Sequence, residues 1–161
     1  SGTGYFDGSN RDEAWKWAEE GLYSLAEMAE DYEIVLALEI LRRDESNLVY
    51  DLPGLMKMLR QLDHPSIGGM IDTIPMALAS ERPAQYLEAL GDSLVHIHFI
   101  DGAPRGHLAW GDGVLDMEGY LEELDAYPYR GYLSLEITDG RYYMDPTKSV
   151  EQSVKRLFSV L

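Results

Sequence analysis

Apolar residues along this chain alternate between two spacings. From Asn10 to about Glu30 they recur every three or four positions, at Trp17, Leu22, Leu25 and Met28 or Ala29, which predicts a helix with one apolar stripe. Asn10 followed three residues later by Glu13 is the capping-box pattern that opens such a helix. Ile34-Val35-Leu36-Ala37-Leu38 is instead an unbroken apolar run, too short for a helix, and predicts a buried parallel strand ending on Glu39. The rhythm then repeats. Helical spacing returns over 51–62 through Leu52, Leu55, Met58, Leu59 and Leu62, with Pro53 in a first turn that needs no N–H from it. Ser66 to Ile71 reads as a strand ending on Asp72, and 82–90 reads as a helix. Leu94 to Ile100 predicts a strand carrying His96 and His98. Past a Gly-rich loop, Asp116 can cap a helix to about Tyr127, and Gly131 to Leu135 predicts a strand ending on Glu136. Asp145-Pro146 starts a last helix whose apolar face is Val150, Val154, Leu157, Phe158 and Leu161.

One helix followed by four strand–helix units implies a parallel sheet with right-handed crossovers, in either a doubly wound sheet or a (β/α)8 barrel. Strand phase bears on the choice. Glu39, Asp72, His98 and Glu136 each end a predicted strand, the edge where α/β proteins build their sites. Counting back by two from each gives Ala37 and Val35, Met70 and Gly68, His96 and Leu94, Ser134 and Tyr132, a mixed face suited to a barrel interior. The other face, Leu36, Leu38, Ile71, Val95, Ile97, Leu133 and Leu135, is apolar enough to pack under helices. Three carboxylates and one imidazole meeting at one mouth would repel unless a divalent cation joined them. An oxygen-rich set with one His suits Mn²⁺, Mg²⁺, Co²⁺ or Zn²⁺.

Composition narrows the partners. The 161 residues suit one domain, and 13 Lys+Arg against 29 Asp+Glu leave a net charge of −16. Such a surface repels phosphate backbones and anionic lipid, so neither nucleic acid nor membrane is an expected partner. With no cysteine, disulfides, thiolate metal sites and Cys nucleophiles are excluded. No apolar run approaches the roughly 18–20 residues of a membrane span, and no secretory leader pattern is visible, so a cytoplasmic location is expected. Ser1-Gly2-Thr3-Gly4 reads as a loop without an initiator Met, as in a piece of a longer chain.

Leu36-Ala37-Leu38-Glu39, Ile71-Asp72-Thr73, His96-Ile97-His98 and Leu133-Ser134-Leu135-Glu136 resemble the metal-binding strand ends of the xylose-isomerase-like TIM barrels. That superfamily holds sugar isomerases and epimerases and an AP-endonuclease branch. The spacing from Glu39 to Asp72 to His98 is similar to that of the ketose 3-epimerases. Glu45-Ser46-Asn47, Gly111-Asp112-Gly113 and the tail from Gly140 to Leu161 resemble fructoselysine 3-epimerase and its relatives. The resemblance spans the whole chain but implies only the C-terminal half of a (β/α)8 barrel, about four βα units, with residues 1–161 as a single domain.

The resemblance also implies roles. Glu39, Asp72, His98 and Glu136 would bind one divalent ion, Mn²⁺ first among the four candidates, and Glu39 and Glu136 would be acid and base on opposite faces of a ketose. Glu45 matches a substrate-side glutamate. Arg105 lies near a substrate-binding arginine, its offset shifted by one, and His107 in the same loop would bind substrate or complete the metal shell. Pro75 stands where many members carry a His, so one substrate hydroxyl contact differs. His96 is expected in the core below His98, His64 on the surface, Trp15 and Trp17 in packing, and Trp110 beside the mouth. The expected function is a divalent-metal-dependent sugar isomerase or epimerase working through an enediolate. Its partners would be a small sugar and either a second copy or the other half of a longer chain. The alternatives are a non-catalytic metal-binding fragment and an AP-endonuclease-like nuclease, the latter opposed by the charge and by too few His ligands.

Overall fold

In the computed structural model, which describes Gly8 and residues 10–160, four strands lie side by side in chain order, each parallel to the next. They are β1 (Leu36–Leu38), β2 (Ile67–Asp72), β3 (Leu94–His98) and β4 (Leu133–Ser134). The helices are α1 (Arg11–Asp31), α2 (Leu52–Leu62), α3 (Thr73–Leu78), α4 (Pro83–Leu90), α5 (Met117–Asp125) and α6 (Pro146–Phe158). Consecutive parallel strands joined through helices form half the sheet of an eight-stranded barrel. The Ser1–Gly4 loop and Leu161 lie outside the described residues.

The helix starts follow from their caps. Asn10, Asp51, Asp116 and Asp145 each accept a backbone N–H of the first turn they precede. The helix α3 is an addition to the predicted set. It is short, and it forms because the Asp72 carboxylate at the end of β2 accepts the Ile74 N–H at 2.8 Å. The core lies between sheet and helices: Leu55, Met58 and Leu62 of α2 and Tyr86, Leu87 and Leu90 of α4 cover Ile71 and Ile97. Each Leu-sized side chain so buried contributes about 1.5–3 kcal/mol.

Three expectations are corrected. The face that α1 buries is Ala14, Trp15, Ala18, Leu22, Ala26 and Ala29, whereas Trp17 and Met28 are 55% and 59% exposed and Leu25 is exposed with them. Small residues let α1 sit close to α2, and Trp15 anchors it by donating its ring N–H to Gln61 at 2.8 Å under the Lys57 ammonium. On α6 the buried residues are Ser149 and Ser153, while Val150, Val154 and Phe158 stay exposed. Both uncovered stripes belong to the helices nearest the ends of the sheet, where β1 and β4 each pair on one side only among the described residues. The third correction is in strand phase. The β2–β3 register runs Gly69↔Leu94 and then Met70↔His96, so Val95 is one residue extra. Leu94 joins the helix-side core instead of the mixed face, and Val95 is only half-buried. Above this bulge the pairing Asp72↔His98 is regular.

Trp110 is fully buried, donates its ring N–H to the Phe99 carbonyl at 3.0 Å and packs on the Phe99 ring, so it is a core group and not an exposed face of the mouth. Among the described residues, no helix is long and apolar enough to cross a membrane.

Candidate metal centre

The phase of the strands delivers four side chains to one point. Asp72 and His98 are paired neighbours on β2 and β3, Glu136 follows the β4 residue Ser134 that pairs with His98, and Glu39 follows β1. One ligand atom from each of Glu39, Asp72, His98 and Glu136 lies within 4.8 Å of all the others. His98 Nδ1 is 3.1 Å from Glu39 Oε1, 3.3 Å from Glu136 Oε2 and 3.9 Å from Asp72 Oδ2. Asp72 is 2% exposed and divides its oxygens: Oδ1 caps α3 and Oδ2 faces the cluster. One oxygen is therefore fixed in direction before any ligand arrives.

The groups of the cluster shift one another's charge, His98 most of all. The flanking carboxylates of Asp72 and Glu39, with Glu136 behind them, outweigh burial and raise the His98 pKa to about 10. Burial pushes Glu39 up, but His98 outweighs it and holds Glu39 below the usual carboxylate value. Burial raises Glu136, the charges of His98 and His107 offset only part of that, and Glu39 and Asp72 add to it. His96 stacks edge-on below His98, ring centroids 5.4 Å apart, and burial followed by the His98 charge lowers its pKa. It stands beneath the cluster and is not one of the four.

Three carboxylates around one imidazolium carry a net charge of −2, which a divalent cation with a neutral imidazole would reduce to −1. Hard oxygen donors with one nitrogen fit Mn²⁺, Mg²⁺, Co²⁺ or Zn²⁺. To ligate, His98 must give up its proton, so cation affinity should rise with pH up to about 10. Calorimetry at pH 7 in two buffers of different ionisation enthalpy should show proton release on binding. The metal-free protein should behave oppositely. The folded pKa of His98 lies above the ordinary 6.5, so its ion pairing stabilises fully below about pH 6.5 and is lost as pH rises through about 10. Thermal melts across that window should show a falling midpoint.

Of the other residues singled out, His107 reaches the cluster. Its Nδ1 is buried and 3.1 Å from Glu136 Oε2, out of line for a hydrogen bond. Glu45 and Arg105 lie in the mouth loops but outside the group of four. Glu45 Oε1 accepts from Arg42 Nη2 at 2.5 Å, and Arg105 Nη1 donates to Asp44 Oδ2 at 2.7 Å. Arg42 was missed in the sequence, although its i, i+3 spacing to Glu45 signals the pair. It holds the Glu45 carboxyl below its usual range. Pro75 is buried within α3.

The model of a family described as "Xylose isomerase-like TIM barrel" matches residues 2–160. Fructoselysine 3-epimerase of Escherichia coli O157:H7 is 28% identical over 149 residues, 91% of this chain and 54% of that protein. The apo structure of 3-keto-D-glucoside 4-epimerase from E. coli superposes with a TM-score of 0.80 at 24% identity, over 96% of this chain and 57% of that one. D-allulose 3-epimerase from Methylomonas sp., in complex with D-allulose, gives 0.75 at 24% identity over 98% and 58%. The chain spans about half the length of the curated relatives that lead these matches, 54% of fructoselysine 3-epimerase.

Proposed function

The chain belongs to the xylose isomerase-like TIM barrel family, and we propose that it forms the metal-holding half of a sugar epimerase or isomerase acting on a ketose or modified ketose. The observation that carries this reading is the convergence of Glu39, Asp72, His98 and Glu136 within 4.8 Å at the C-terminal ends of four adjacent strands. Glu39, Asp72, His98 and Glu136 would hold one divalent ion, with Mn²⁺ preferred. When bound, the ion would neutralise the negative charge that develops on the carbonyl and adjacent hydroxyl oxygens of the sugar. Glu39 and Glu136 supply the proton traffic. Epimerisation beside a carbonyl needs a proton removed from one face of the carbon and returned on the other, through an enediolate. Environments that push two carboxyls in opposite directions suit that division. Glu39, held ionised, takes the proton, Glu136 returns it, and the roles exchange in the reverse reaction. Glu45, Arg105 and His107 would contact the sugar from the mouth loops once the ion pairs of Glu45 and Arg105 open. A soluble cytoplasmic setting accords with this chemistry, and a −16 chain with one imidazole in its cluster does not favour the nuclease reading.

Residues 1–161 would then be one unit, the C-terminal half of a barrel that needs eight strands. Among the described residues, the unpaired edges of β1 and β4 and the exposed apolar residues of α1 and α6 support this. A bare edge invites pairing with another chain. Two copies would crowd eight ligands around one mouth, so the other half of a longer polypeptide fits better than a homodimer. The isolated chain should not persist as a monomer: sedimentation equilibrium at micromolar concentration should show association, and a cooperatively melting monomer would end the half-barrel reading. The exposed inner-face residues Ala37 and Tyr132 favour one second reading, a fragment that binds the ion but lacks a wall for the sugar. The Mn²⁺-loaded chain in D₂O decides between them. Exchange of the carbon-bound proton of a ketose such as D-allulose supports the enzyme, and ion binding without exchange, in the chain alone and in the longer polypeptide that carries it, supports the fragment.

A further inference from the structure

Asp101 is a carboxylate with 2% exposure, three residues past His98 and outside the group of four. It accepts four backbone N–H hydrogen bonds. Oδ1 takes Gly102 at 2.8 Å and Leu115 at 3.1 Å, and Oδ2 takes Gly111 at 3.0 Å and Gly113 at 2.9 Å. Its main chain is also paired with Leu108 in both directions, at 3.1 and 2.8 Å. One side chain thus ties together the start, the middle and the end of the loop between β3 and α5. The closure leaves no slack, because a Cβ on Gly113 would collide with the Asp101 carboxylate itself. A buried carboxylate is costly unless amides replace its water, and four aligned donors do that here.

The loop so clamped carries His107, the residue before Leu108. The His107 carbonyl accepts the N–H groups of Thr138 and Asp139 at 3.2 and 3.3 Å, joining the loop to the segment that follows Glu136. We propose that Asp101 is a positioning residue: it holds the loop so that the His107 imidazole stands fixed beside Glu136, poised to meet a hydroxyl of the bound ketose. The ketose part rests on the epimerase reading; the placement of His107 does not.

Asp101→Asn keeps the shape but turns an amide N–H₂ toward two of the four N–H donors. In the full chain, the His107 ring resonance should move and broaden in NMR spectra, while those of His64, His96 and His98 hold. With Mg²⁺ as a diamagnetic ion, D-allulose affinity should fall about 10-fold, the scale of a lost outer-shell contact, with Mg²⁺ affinity unchanged. His107→Ala should cause the same sugar loss, and the double variant no more than either alone. An unmoved His107 resonance, or additive losses in the double variant, would overturn the role of Asp101. Should Asp101→Asn fail to fold, Gly111→Ala, which strains the positive-φ backbone of one of the four donors without filling occupied space or changing charge, is judged by the same readouts. A wild-type chain that binds neither Mg²⁺ nor D-allulose would remove the epimerase reading, and the His107 resonance would still decide the placement.

Discussion

Replacing His98 with alanine should cut Mn²⁺ affinity by more than the 10–100-fold that loss of an outer-shell partner costs. His98 Nδ1 lies within 3.9 Å of all three carboxylates, so it is the centre of the group and not an edge member. Without it a cation loses its only nitrogen donor in the group, and the carboxylates lose the imidazolium that keeps them together in the metal-free state. The metal-free variant should therefore also melt lower at neutral pH. His96→Ala is the proper contrast, since that ring lies one layer below and supplies no ligand atom. Calorimetric titration with Mn²⁺ reads both, and equal affinity for wild type and His98→Ala would remove this cluster as the binding site.

Glu136→Gln should suppress proton exchange between a bound ketose and D₂O by about 10²–10⁴-fold, the usual contribution of a positioned acid or base. The amide keeps the volume and one oxygen, so ion and sugar binding should survive in part, but it cannot accept or deliver a proton. Burial and the neighbouring carboxylates already bias Glu136 toward its protonated form, which is the property the substitution discards. NMR in D₂O with D-allulose follows the exchange directly. Undiminished exchange in the variant would strike Glu136 from the acid/base pair while leaving its place beside the cation intact.

Much of the architecture was legible because its signals are local. Asn10, Asp116 and Asp145 announce their helices through side chains that reach three residues ahead, and each makes that hydrogen bond. The four cluster residues were legible through phase, since each polar residue ends an apolar strand at the same edge and the pairing that brings them together, Asp72↔His98 and His98↔Ser134, is regular there. What could not be read depends on neighbours. Trp17, Leu25 and Met28 look like a core stripe until α2 proves to need the small residues beside them, Ala14, Ala18 and Ala26. Phe158 looks buried until no element among the described residues covers it. The extra residue at Val95 leaves no trace in the hydropathy of β3, and α3 starts on a cap that a strand-ending Asp72 supplies. Glu45 and Arg105 are singled out for a sugar, but each forms an ion pair: Arg42 stands only three residues from Glu45, whereas Asp44 and Arg105 are 61 residues apart and meet only in three dimensions.

The bulge at Val95 divides β3 into two parts that answer to different demands. Below it, Leu94 obeys the helices; above it, His96 and His98 obey the mouth. A regular strand would couple them rigidly, because any change of facing at one end rotates the other. The extra residue works like a swivel joint in a shaft. A shift in the packing around Leu94 can be taken up there, without turning the imidazole away from its three carboxylates.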